Sequence, residues 1–173
     1  MTKLLSTEQM AEFANSGCLF FEGLIDEDIN KEFLNDIGHT DIDDVDNIQH
    51  YFQNIKSSSS IPRIPAGTAL KDAYPLNSPL EKIFKNEIVS GAINSLVGSK
   101  TVVDHQFLHL TFPSKYYEKA NQRQMSQVNH QDSTIDPRST FDVQLFYFPT
   151  EVTKAMGGTR YHPGTHLRIV NEF

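Results

Sequence analysis

The sequence predicts an α+β fold, with helices first, strands after, and the two packed as one unit. Helical periodicity and capping signals dominate residues 1–100, whereas residues 101–173 are rich in β-branched and aromatic side chains set between polar or Gly/Pro turns. A length of 173 residues suits a single domain over 1–173. Helices laid on one side of an antiparallel sheet form one α+β unit of that size.

The first helix is announced by Ser6-Thr7-Glu8-Gln9, the form of a capping box, just before the apolar positions Met10, Phe13 and Ala14. Gly17 ends it. The run Cys18-Leu19-Phe20-Phe21 suits a buried strand. Asp26 then caps a second helix whose apolar face is Ile29, Phe33, Leu34 and Ile37, with Gly38 closing it. Acid is concentrated over 41–46, and 57–65 carries four serines and two prolines, so a surface loop is expected across most of 39–68. The acidic run lacks the central Gly and terminal Glu of an EF-hand and reads as solvated. Pro79 opens one long helix in which Leu80, Ile83, Phe84, Ile88, Ala92, Ile93 and Leu96 keep a helical period until Gly98. Strands are expected at 101–112, 141–148 and 167–170. Alternation is plainest over 141–148, whose apolar end suggests burial on both faces.

Composition narrows the function. A chain that is 38% hydrophobic and 21% charged has the profile of an ordinary globular protein, which excludes a disordered tail, a collagen or a coiled coil. No apolar run approaches the roughly 20 residues that cross a bilayer, and the first eight residues lack a signal-peptide pattern, so a cytoplasmic protein without membrane contact is expected. A net charge of −7 with 15 scattered Lys and Arg argues against a nucleic-acid partner. With Cys18 the lone cysteine, a metal would have to be held by imidazole and carboxylate.

Such a pair exists in the β half, which also holds His105, His109, His162 and His166. His130-Gln131-Asp132 sets an imidazole and a carboxylate two residues apart, on one face of an extended strand and close enough to share an ion. Two histidines and one carboxylate bind one face of Fe(II) and leave the opposite positions open for a co-substrate and dioxygen. His130 and Asp132 supply two of those three groups. A surface turn with a local His–Asp hydrogen bond is the plainer reading of the same spacing.

Downstream, the Phe-rich stretch 141–148 is followed by Gly157-Gly158-Thr159-Arg160-Tyr161-His162-Pro163-Gly164-Thr165-His166, read as a tight turn, a short strand and a second turn. In this order the motifs resemble the phytanoyl-CoA dioxygenase-like family of Fe(II)- and 2-oxoglutarate-dependent oxygenases. Thr7 to Gly17, the apolar run after it and Gly23-Leu24-Ile25 resemble the family's opening, so the likeness spans about the whole chain. The resemblance implies a double-stranded β-helix, or cupin-like jelly roll, with His130 and Asp132 as iron ligands on one strand. A retained Asp132 implies, by the same resemblance, a hydroxylase or related oxidase, since relatives that halogenate have a small residue there. By the same resemblance Phe146 lines the pocket, or is plain core, and Gln131 sits between the ligands. Gln106 and Gln127 lie on flanking strands, where either would hydrogen-bond the co-substrate or substrate, or serve as an ordinary strand residue.

Family members complete the triad with a later histidine and bind the distal carboxylate of 2-oxoglutarate with an arginine about ten residues beyond it. Phe173 follows His166 by seven residues, so neither group has a counterpart and the jelly roll is expected to be incomplete at its C-terminal end. His166, or less favourably His162, is the candidate third ligand, and Arg160 and Arg168 are available to a carboxylate. Open sheet edges would favour a homodimer that covers them. Asp136-Pro137 reads as the turn leaving the metal strand.

The expected function is therefore a dioxygenase that uses Fe(II), 2-oxoglutarate and dioxygen to hydroxylate an aliphatic carbon of a small-molecule substrate. The alternative is a non-catalytic or truncated relative that binds a small molecule or a protein. A third reading, a cupin-like isomerase or hydrolase, would bring His105 or His109 to the metal beside His130.

Overall fold

The computed structural model describes residues 2–40, 48–56, 61–111, 142–153, 156 and 158–167. Helix α1 is Thr7–Ser16, and its capping box forms as the sequence predicts: Ser6 Oγ accepts from the Gln9 N–H while Gln9 Oε1 accepts from the Ser6 N–H. Helix α2, Glu27–Asp36, begins at Asp26, although the Asp26 side chain makes no capping bond. It ends on a Schellman turn, in which the Gly38 N–H donates to the Asn35 carbonyl and the His39 N–H to that of Leu34.

The expected loop over 39–68 contains a helix, α3, at Ile48–Lys56. Its physical basis is the apolar series Ile48, Tyr51, Phe52 and Ile55, one helical face, of which Tyr51 and Ile55 are buried. The expected strand at 18–21 does not form. Those residues run irregularly from α1 toward α2, and Phe20 is 67% exposed. A short apolar run needs a pairing partner to become a strand, and none reaches it among the described residues.

The long helix expected from Pro79 to Gly98 is two helices, α4 at Pro79–Lys85 and α5 at Glu87–Val97. Ser78 caps α4 with Pro79 in its first turn. Asn86 divides the two. Its φ of −53° and ψ of 132° are not helical, and its Oδ1 accepts from the N–H groups of Ile88 (2.9 Å) and Val89 (3.3 Å). The apolar period passes through this break because α4 and α5 present their stripes to the same interior, burying Ile83, Val89 and Ala92.

Strand β1, Thr68–Ala69, pairs antiparallel with β2, Val102–Val103, in register Thr68 with Val103 and Ala69 with Val102. Beyond β2, residues 104–111 and 142–148 form no ladder among the described residues, though burial alternates along 106–110 in the manner of a strand. Leu167, expected to start a strand, instead closes a helical turn with Thr165 and His166. Residues 112–141, on which the expected double-stranded β-helix depends, and 168–170 lie outside the described residues.

The core joins the two halves of the chain. Phe33 and Ile37 of α2 meet Tyr51 and Ile55 of α3, and Leu34, Ile61, Leu80, Leu108, Leu110 and Tyr147 pack around them. Each such apolar side chain withdrawn from water contributes roughly 1.5–3 kcal/mol. Helix α2 also packs on α4, where Ile83 is 2% exposed. Across the same junction Lys82 pairs with Glu32, a half-exposed contact worth under about 1 kcal/mol. No helix of the described residues is long and apolar enough to cross a membrane.

Candidate functional site

Of the residues singled out as site candidates, His130, Gln131, Asp132 and Gln127 lie outside the described residues. Gln106, Phe146 and His166 are described, and they contact different parts of the chain.

Gln106 leaves β2 on the inward phase of the burial alternation and lies half-buried. Its Oε1 accepts from the Tyr74 hydroxyl at 2.9 Å, and its Nε2 donates to the Pro62 carbonyl. Tyr74 in turn stacks on Phe84 of α4, ring centroids 4.9 Å apart, and burial pushes its phenol above the ordinary value. Both ends of the amide are therefore committed to tying the segment after β2 to α4 and to residue 62. Neither partner was foreseeable locally, since they stand 32 and 44 positions away.

Phe146 is exposed and stacks on Phe148, centroids 6.4 Å apart and planes within 9°. Tyr147 between them points inward, packs edge-on against Phe33, and donates its hydroxyl to Asn30 Oδ1 at 2.6 Å. Tyr147, not Phe146, is thus the residue set against the helices, and the burial on both faces expected of the apolar end of 141–148 does not occur among the described residues, since Leu145, Phe146 and Phe148 are exposed.

A second exposed row runs along the segment after β2. The rings of His105 and Phe107 stack 6.0 Å apart, Phe107 meets His109 at 6.4 Å, and His105 Nδ1 pairs with Asp104 at 2.7 Å. His105 and His109 face outward while Leu108 and Leu110 face the core.

His166 sits on the C-terminal end of α1. Its Nε2 donates to the Ala14 carbonyl at 3.0 Å, and the Gly164 N–H donates to the Ser16 carbonyl at 2.9 Å. Both acceptors belong to the last turn of α1, whose carbonyls have no partner within the helix. His166 Nδ1 is buried without a hydrogen-bond partner and lies over Gly17, where an added Cβ would stand 2.6 Å from it. Gly17, at φ +79°, is required twice here, once for the left-handed turn and once for the space. Tyr161 adds a tilted ring contact to Phe20 at 5.5 Å. His162 and Arg160 are exposed, and the His162 carbonyl accepts from the Thr165 N–H and hydroxyl.

Among the described residues no three His, Cys, Asp or Glu side chains are grouped to hold a metal ion. No protein-family model, curated protein or solved structure matches the chain.

Proposed function

We propose that the chain is an Fe(II)- and 2-oxoglutarate-dependent oxygenase that hydroxylates an aliphatic carbon of a small molecule. The observation that carries this reading is the order of its motifs: His130-Gln131-Asp132, then the Phe-rich stretch 141–148, then 157–166 with its Pro163-Gly164-Thr165-His166. The donor set suits the ion. One imidazole beside one hard carboxylate is the combination Fe(II) takes when positions must stay open for a co-substrate. Bound iron with 2-oxoglutarate supplies the oxidation of the substrate by dioxygen. The chain's own part is to hold that pair in place with His130 and Asp132 and to exclude water.

His166 is a candidate for the third position at a cost. Its Nε2 donates to Ala14 and its Nδ1 lies against Gly17, so binding iron requires it to leave α1. The exposed row His105–Phe107–His109 favours the second reading, a binding module without catalysis, because Phe107 is 65% exposed and aromatic rings in the open are contact surface.

Anaerobic titration of the chain with Fe(II) and 2-oxoglutarate separates the two. The oxygenase reading expects a visible charge-transfer band that is lost in His130→Ala and in Asp132→Ala. Absence of the band in the unsubstituted chain would overturn that reading in favour of the binding module.

A further inference from the structure

We infer that Glu87, Gly91 and Ser95 of α5 form a seat that binds a peptide segment by its main chain, filled in this protein by residues 3–5. The three seat residues are spaced four apart and so line one face of the helix. Each makes a different contact with the segment. The Lys3 N–H donates to the Glu87 carbonyl at 3.0 Å, the Lys3 carbonyl lies over Gly91, and the Leu5 N–H donates to Ser95 Oγ at 3.0 Å.

The notch at Gly91 is the part that only glycine supplies. A Cβ there would stand 1.8 Å from the Lys3 carbonyl oxygen and 2.4 Å from the carbonyl carbon, both of them backbone atoms that no rotamer change can move. Nothing else about the position asks for glycine. Gly91 lies inside α5 and is not one of the glycines with positive φ, so a helix without this crossing would favour alanine by about fivefold in its folding equilibrium.

Ser95 is aimed at the segment by its own helix. Its hydroxyl donates to the Gly91 carbonyl one turn back, at 2.8 Å, and this leaves an oxygen lone pair for the Leu5 N–H. The seat therefore takes N–H donors at alternate residues, the period of an extended chain, with a carbonyl between them. It asks little of the intervening side chain, because Leu4 is exposed. The ligand class is thus an extended main chain with free N–H groups two residues apart. The seated segment ends one residue before Ser6, the N-cap of α1, so the seat also fixes where α1 starts.

Site-resolved amide hydrogen exchange on the full chain tests this. Gly91→Ala should lower protection at Lys3 and Leu5 by about tenfold, while the Ile37 amide at the end of α2 keeps its protection. Ser95→Ala should lower Leu5 by about fivefold to tenfold, and Leu4→Ala should leave both amides as they are. Unchanged protection in Gly91→Ala, with the fivefold gain that alanine brings to an ordinary helix, would overturn the notch. If Gly91→Ala does not fold, Ser95→Ala decides, and unchanged protection at Leu5 in that variant would overturn the seat. Loss of protection in Leu4→Ala would overturn recognition by the main chain. Protection at Leu5 that rises with protein concentration would overturn filling by the chain's own residues 3–5 and assign the seat to a second copy.

Discussion

The Tyr147 hydroxyl donates to Asn30 Oδ1 at 2.6 Å and joins residues 117 positions apart. Asn30 is held in turn by a long bond from its Nδ2 to the Ile25 carbonyl, and Tyr147 packs edge-on against Phe33. Burial lifts the Tyr147 phenol from its ordinary 10.0 to about 12. The unfolded chain therefore releases this proton first. The contribution of Tyr147 to stability is intact below about pH 10, declines as the pH rises from 10 to about 12, and is gone above that. Tyr147→Phe should cost about 1 kcal/mol at neutral pH, through the lost bond to Asn30. It should also flatten the alkaline decline, measured by urea unfolding at stepped pH. Among the described residues Tyr51 and Tyr74, whose phenols burial also raises, and Lys31, raised by its pairing with Glu27, contribute to the residual slope.

Punctuation in the chain was legible; long-range partners were not. Ser6 and Gln9, Gly17, Gly38, Pro79 and Gly98 all act locally, and each stands where its chemistry places it, whereas the Ser78 cap came from the structure and Asp26 makes no capping bond. Helix α3 was hidden because its nine residues lie between an acidic run and a serine run that dominate any window. The break at Asn86 was hidden because an unbroken apolar period says nothing about the backbone between two stripes. For the candidate site the limit is distance. His166 meets Ala14 across 152 positions, and no local pattern in 157–166 encodes that the imidazole will end a helix near the start of the chain.

The buried face of α3 can be checked directly. Ile55→Ala should destabilise by about 2–5 kcal/mol, since Ile55 packs with Phe33, Ile37 and Tyr51. Phe52→Ala, one turn earlier and 48% exposed, should stay within about 0.5 kcal/mol. Equal midpoints for the two variants in urea would mean that residues 48–56 do not pack as a helix with this face inward.

Asn86 carries the turn between α4 and α5 with one side-chain oxygen. Asn86→Ala leaves the Ile88 and Val89 N–H groups without that acceptor and should cost about 1 kcal/mol. Asn86→Asp keeps the acceptor and places its charge at the favourable end of α5, but it also faces the Leu24 carbonyl, to which Asn86 Nδ2 donates, with a second oxygen and sits at the C-terminal end of α4, so it should recover only part of the alanine loss. The pair of chemical unfolding curves distinguishes a capped junction from a continuous helix, in which alanine would be the more stable residue.

Gln106 offers the sharpest separation between a structural and a ligand-binding role. Its two amide atoms already serve Tyr74 and Pro62, so Gln106→Ala should destabilise by about 1–3 kcal/mol by stranding a hydroxyl and a carbonyl. Gln106→Glu refines this. A carboxylate oxygen still accepts from Tyr74, but the atom facing the Pro62 carbonyl becomes an oxygen, and two acceptors repel. Protonation turns that atom into a donor, so the folded state favours the acid form and the pKa of the new carboxyl rises on folding. The stability of Gln106→Glu relative to the unsubstituted chain should therefore improve as the pH falls below the carboxyl's folded-state pKa. If Gln106 serves 2-oxoglutarate instead, both substitutions leave the unfolding midpoint in place and weaken the Fe(II)/2-oxoglutarate band, an outcome that would assign the amide to the ligand and not to the fold.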